Sequence, residues 1–151
     1  MSVHELKDIH KKSIILCIYL FYGISGMQTG NLGVIQKDDI CYTNIERTLL
    51  DIVVRPQYSG GVNNVLKVYN KAKSLVNLEN FIKYYKKIKY IYPYYQSIGF
   101  YLEKTNYASE FVDVFFKMKK QYDFYLDYGM KNPKYYERWR LFYPNTLDDN
   151  N

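Results

Sequence analysis

Hydrophobic positions along this chain change rhythm near Thr43. Before it, short apolar runs are punctuated by glycine and aspartate: Ile14 to Tyr22, then Gly33-Val34-Ile35, a turn at Lys37-Asp38-Asp39, and Ile40-Cys41-Tyr42. Runs of this kind bounded by turn formers predict strands, the first of them buried on both faces. After Thr43 the period becomes helical. Thr43-Asn44-Ile45-Glu46 has the form of a capping box, in which the threonine hydroxyl and the glutamate side chain satisfy each other's backbone amides. Ile45, Leu49, Ile52 and Val53 then make an apolar stripe, and Pro56 pushes Arg55 out of the helical region, so the first helix ends by Arg55.

Four more helices follow on the same reasoning. Ser59-Gly60-Gly61 is a permissive corner, after which Val62, Val65, Leu66 and Tyr69 share one face. Asn77 caps a third helix with Leu78, Phe81, Ile82 and Tyr85 inward. Tyr92-Pro93 opens a fourth, with Ile91, Tyr95, Ile98 and Leu102 as its stripe. Ala108 to Lys120 carries Phe111, Phe115 and Met118 on one face of a fifth. Two late runs, Asp123 to Asp127 and Arg138 to Tyr143, predict strands that return to the first sheet. The expected fold is α+β, a small mixed sheet of N-terminal strands, joined by these late strands where they return, packed against about five helices. Residues 1–13 form a short extension, 14–147 a single domain and 148–151 a tail that frays.

Composition adds limits. A chain of 151 residues fits one compact domain, and with 48% hydrophobic against 24% charged residues it has the apolar material to fold. Aromatic content, 19%, is carried by 19 Tyr and 8 Phe against 1 Trp, which suits wet edges as well as cores. The net charge of +6 is compatible with nucleic acid or an acidic protein without pointing to either. Cys17 and Cys41 lie far apart in apolar stretches, lack C-x-x-C spacing and read as buried reduced thiols of a cytoplasmic protein. Ile14 to Tyr22 falls far short of the roughly 20 residues a membrane-spanning helix needs, so no membrane is expected. Lys11, Lys12 and the small residues Gly23, Ser25 and Gly26 imitate a secretory signal, but Glu5, Asp8 and the absence of an A-x-A site oppose it. His4 and His10 both lie in the extension, and carboxylates follow no D-x-D or H-E-x-x-H pattern. No catalytic residue, metal site or cofactor is expected, and the chain does not read as an enzyme.

Several ordered motifs carry a resemblance. YTNIERTLLDIVVRPQYSGG, from Tyr42 to Gly61, resembles the hallmark of AbiEi-type antitoxins of type IV toxin-antitoxin systems. YPYYQSIGFYLE (Tyr92 to Glu103), DFYLDYG (Asp123 to Gly129) and WRLFYP (Trp139 to Pro144) are similar to later segments of that family, so that the likeness runs from about Ile14 to Pro144. It implies a bacterial, noncatalytic antitoxin domain that counters a neighbouring nucleotidyltransferase-like toxin in phage defence by abortive infection. In the family such a domain follows an N-terminal winged helix that binds the operon's promoter. Met1 to Ser13 is too short for that unit, and the chain is expected to lack it.

Within these motifs, Thr43, Glu46, Pro56, Gly60 and Gly61 read as structural, whereas Arg47, Asp51, Arg55 and Tyr58 are candidates for contact with the toxin. Arg47 and Asp51 are four apart and can pair on one helix face. Tyr135, Tyr136, Arg138 and Trp139 join the partner-binding candidates, because tyrosine, tryptophan and arginine dominate interface hot spots. The third helix offers Lys83, Lys86, Lys87 and Lys89 interleaved with Tyr84 and Tyr90. Lysines on phosphates with tyrosines on bases would make a DNA- or RNA-binding regulator, the alternative reading. Oligomeric state is left open.

Overall fold

The computed structural model describes residues 14–16, 19–21 and 30–150, with side chains described from 30 to 147. His4, His10 and Cys17 lie outside the described residues. The chain divides into two compact units, Met1–Gly30 and Asn31–Asn151. In the first unit, β1 (Ile14–Leu16) and β2 (Tyr19–Phe21) pair antiparallel with Ile15 opposite Leu20. The apolar run expected as one strand is therefore two, a reversal that an uninterrupted hydrophobic pattern does not mark.

The second unit is an α+β fold with five helices. It opens on an antiparallel hairpin, β3 (Val34–Lys37) and β4 (Ile40–Thr43), turned at Asp38-Asp39 with Asp38 at φ 53°. Helix α1 (Ile45–Val54) starts one residue later than expected: Asn44, not Thr43, is its cap, and its Oδ1 accepts from the Arg47 amide at 3.0 Å. Thr43 stays in the β ladder opposite Val34, and asparagine is at least as good a cap. After a 3₁₀ turn at Pro56–Ser59, the backbone passes through Gly61 at φ 86°, ψ 175°, a region essentially reserved for glycine. Helices α2 (Val62–Ala72), α3 (Leu78–Ile88), α4 (Tyr94–Lys104) and α5 (Ser109–Phe116) follow, and Asn77 caps α3 as expected, accepting from the Asn80 amide at 2.9 Å.

Helix α4 is the hub. Every residue from Gln96 to Leu102 is buried, so it is enclosed on all sides and not only along a stripe. Ile91, expected on that stripe, is 85% exposed because the helix begins after Pro93. The Tyr69 ring of α2 stacks on Tyr101 of α4 at 5.2 Å and its hydroxyl donates to the Leu49 carbonyl of α1 at 3.0 Å. Tyr107 in turn donates to the Tyr69 carbonyl at 2.8 Å, so both of these buried hydroxyls are satisfied by backbone.

The late strands do not return to an N-terminal sheet. β5 (Phe124–Tyr125), β6 (Lys134–Tyr136) and β7 (Leu141–Tyr143) form their own mixed sheet in the order β5-β7-β6, with β5 parallel and β6 antiparallel to β7. Both edges of β7 are thereby filled. The sheet lies on α4: the Phe100 ring meets Tyr136 at 5.8 Å and Tyr143 at 5.4 Å. Between β6 and β7 a 3₁₀ turn, Glu137–Trp139, drives Trp139 wholly into the core against Gly99. A last 3₁₀ segment, Asn145–Asn150, runs through most of the tail expected to fray.

Candidate functional site

The motif around α1 is a set of joints. Glu46 is buried, and its carboxylate accepts from the Asn77 amide at 2.7 Å, tying α1 to the start of α3 and not to its own cap. Arg47 is likewise buried; its Nε donates to both Asp51 oxygens at 2.8 and 2.9 Å and its Nη1 to the Leu32 carbonyl at 3.2 Å. Thr48 donates to the Asn44 carbonyl at 2.8 Å and shares a 2.7 Å hydrogen bond with Thr43. Burial raises the Asp51 pKa above its ordinary value while Arg47 pulls it down. A guanidinium held on two sides in this way is unavailable to a partner, which corrects the expectation for Arg47. Asp51 keeps 43% of its side chain exposed.

Arg55, Tyr58 and the α3 lysines stay on the surface. Arg55 lies over the Tyr58 ring at 6.0 Å, at the corner before α2. Lys83, Lys86, Lys87 and Lys89 are all exposed, but the two interleaved tyrosines are not open stacking platforms. Tyr84 is half-buried and its hydroxyl accepts from Asn44 Nδ2 at 3.2 Å. Tyr90 packs between the rings of Tyr85, at 5.6 Å, and Tyr94, at 5.2 Å, with its hydroxyl buried. The face is basic without available bases-stacking rings, so any nucleic acid there would be held through its phosphates.

The C-terminal candidates gather around Glu103, which sequence reasoning missed. Its carboxylate accepts from Tyr136 Oη, from Trp139 Nε1 at 2.8 Å and from Arg138 Nε at 2.7 Å. The hydrogen bond to Glu103, with burial, pushes the Tyr136 pKa up to about 12. Arg138 also lies over the Phe116 ring at 4.4 Å. Trp139 has no exposed surface and is a core residue, which overturns its place among the partner-binding candidates. Tyr135 remains partly exposed and donates to Asp123, which Arg140 also pairs at 2.8 Å; these two donors hold the Asp123 pKa below its ordinary value.

The surface the sequence did not single out is apolar. All four β3 residues and three of the four in β4 are exposed, with Val34, Ile35, Ile40 (67% exposed) and Tyr42 among them. The expected burial of Cys41 fails for the same reason: its thiol is free and exposed on this hairpin. Ile35 and Tyr42 stand opposite each other in register. Alongside, a groove of about 270 Å³ runs between α1 and α2, floored by Ile45, Leu49, Val68 and Ala72, with Leu75 (68% exposed) and Lys71 on it. The available signal was that β3 and β4 place apolar side chains on both faces, which a hairpin half-immersed in water does not need.

Among the described residues no group of three or more His, Cys, Asp or Glu is placed to hold a metal ion, and no helix is long and apolar enough to cross a membrane. The chain matches no family model, no curated protein and no solved structure.

Proposed function

We propose that this protein works by binding and not by chemistry, as a cytoplasmic antitoxin of the type IV, AbiE-like class that neutralises a nucleotidyltransferase-like toxin. The observation that carries the reading is the apolar hairpin with its adjoining groove. Among the described residues the hairpin pairs with no third strand, and unpaired strand edges are templates for another chain. Ile40 and Tyr42 present apolar surface on the hairpin, and Leu75 presents it in the groove. A protein that adds a strand to the hairpin or lays an apolar segment into the α1–α2 groove would remove both from water.

The test is growth rescue on co-expression with the adjacent reading frame of nucleotidyltransferase fold. Wild-type chain rescues, and the double variant Ile40→Asp/Leu75→Asp loses rescue while keeping its thermal midpoint, because both side chains are already in solvent. Cells that die equally fast with the wild-type chain overturn the function; full rescue by the double variant overturns the surface.

A second reading, a DNA- or RNA-binding regulator, is favoured by the four exposed lysines of the α3 segment. Binding through phosphates alone predicts a steep fall of affinity with salt and little sequence preference. A gel-shift titration that shows no binding at low salt removes it.

A further inference from the structure

Asn63, Leu66, Lys67 and Asn70 recur at helical spacing and so share one face of α2. That face is polar, and it lines a pocket of about 300 Å³ whose opposite wall is Lys104, Thr105 and Asn106 at the end of α4, with Leu147 alongside. The volume sits at the low end for small-molecule sites. The lining holds two lysines and three side-chain amides and no carboxylate. Three arginines of this fold face acids: Arg47 meets Asp51, Arg138 meets Glu103 and Arg140 meets Asp123. Lys67 and Lys104 share a pocket without one.

The wall at α4 is held in place. Lys104 Nζ lies 5.2 to 5.7 Å from the ring centroids of Phe100, Tyr136 and Tyr143, and the Thr105 hydroxyl is bound to the Tyr101 carbonyl at 2.6 Å. Asn106 turns the chain at φ 55°, with its amide bonded to the Glu103 carbonyl at 3.0 Å. On the α2 side, Asn63 Oδ1 is buried without a hydrogen-bond partner among the described residues.

We propose that this pocket binds a phosphate monoester of mononucleotide size, independently of the antitoxin reading. The ammonium groups of Lys67 and Lys104 neutralise the phosphate, the amides of Asn70 and Asn106 hydrogen-bond sugar and base, and Leu66 and Leu147 give the base an apolar flank. A divalent cation would lack a carboxylate ligand here, and an acyl chain would meet too many amides.

The test is titration of the full-length, ¹⁵N-labelled chain with AMP, CMP, GMP and UMP, and separately with adenosine and inorganic phosphate, followed by amide chemical shifts. At least one mononucleotide is expected to move the signals of residues 63–70 and 104–106, with adenosine and inorganic phosphate each weaker by about tenfold or more. Lys67→Ala, an exposed position, is expected to weaken binding by about tenfold at unchanged thermal midpoint. Mononucleotides that move no signal in these segments, adenosine or inorganic phosphate binding as tightly as the nucleotide, or undiminished binding by Lys67→Ala would each overturn the proposal.

Discussion

Gly99→Ala sets two physical effects of opposite sign against each other. In an exposed helix interior the change raises helix propensity and would stabilise by about 1 kcal/mol. At this position in α4 an added Cβ would stand 2.0, 2.2 and 2.7 Å from Cη2, Cζ3 and Cζ2 of Trp139. Ordinary carbon contacts lie near 3.5–4.0 Å, so the ring must retreat by roughly 1.5 Å. It has nowhere easy to go: it is fully buried, its Nε1 is bound to Glu103 at 2.8 Å, and its edge meets Phe116 at 5.6 Å. Overpacking of this kind costs about 1–3 kcal/mol or more, bounded by the roughly 3–5 kcal/mol of losing a buried tryptophan altogether. A 2.0 Å approach puts the overpacking at the upper end of that range, about 3–5 kcal/mol, so that after the propensity gain of about 1 kcal/mol the net expectation is a destabilisation of about 2–4 kcal/mol, read as a thermal midpoint lower by about 2–4 °C for each kcal/mol. Thermal and urea unfolding followed by circular dichroism measure it. In a Trp139→Leu background the same substitution should become neutral or stabilising, because the obstruction is gone. A Gly99→Ala protein as stable as wild type, or more so, refutes the reasoning.

Two further outcomes follow from the polar joints. Glu103→Ala strips the acceptor from Trp139 Nε1, Tyr136 Oη and Arg138, and should destabilise by roughly 2–4 kcal/mol by urea unfolding, while Glu103→Gln, which keeps an acceptor, costs less. Burial holds Tyr85 and Tyr107 up at about 12, the Glu103 hydrogen bond with burial does the same for Tyr136, and burial raises Tyr69, Tyr90 and Tyr101 as well. These phenols ionise more readily in the unfolded chain, near the ordinary 10.0, so their contribution is intact below that pH and is lost as pH rises toward about 12. Tyrosinate absorbance should therefore rise in two waves, the second coincident with loss of the circular dichroism signal; a single wave centred near the ordinary value with the fold intact would contradict the burial.

How far the sequence revealed this fold depends on what signal each element carries. The helices of the second unit were legible because stripes such as Val62, Val65 and Tyr69, and punctuation such as Asn77 and Gly61, act locally. Helix α4 was legible as a helix but not as the hub, since Gln96, Ser97 and Gly99 break the apolar pattern and are buried for long-range reasons. Gln96 Nε2 donates to the carbonyls of Tyr122, Trp139 and Arg140 at 2.7 to 3.1 Å, a clamp made with residues far along the chain. The pairing of β5 and β6 with β7 was illegible for the same cause, as two- and three-residue strands carry too little alternation to name their partners. Trp139 was placed at an interface on its residue type alone, which says nothing of burial, whereas a 3₁₀ turn sends it inward and leaves Arg138 exposed.

The motifs that carry the family resemblance turn out to occupy these joints. Glu46, Arg47 and Asp51 fasten α1 to its surroundings, Gly99 and Glu103 receive Trp139, and Leu141 and Tyr143 are buried in the sheet. Residues in such places report how a chain is built, so substituting them tests folding and function together and separates neither. Ile40 and Leu75 have the opposite character: their side chains are 67% and 68% exposed, so changing them disturbs little of the packing. Rescue experiments on Ile40 and Leu75 therefore discriminate where alanine scans of Arg47 or Trp139 cannot. A loss of rescue with unchanged unfolding behaviour at the former positions assigns the surface to a partner, whereas loss at the latter two would follow from unfolding alone.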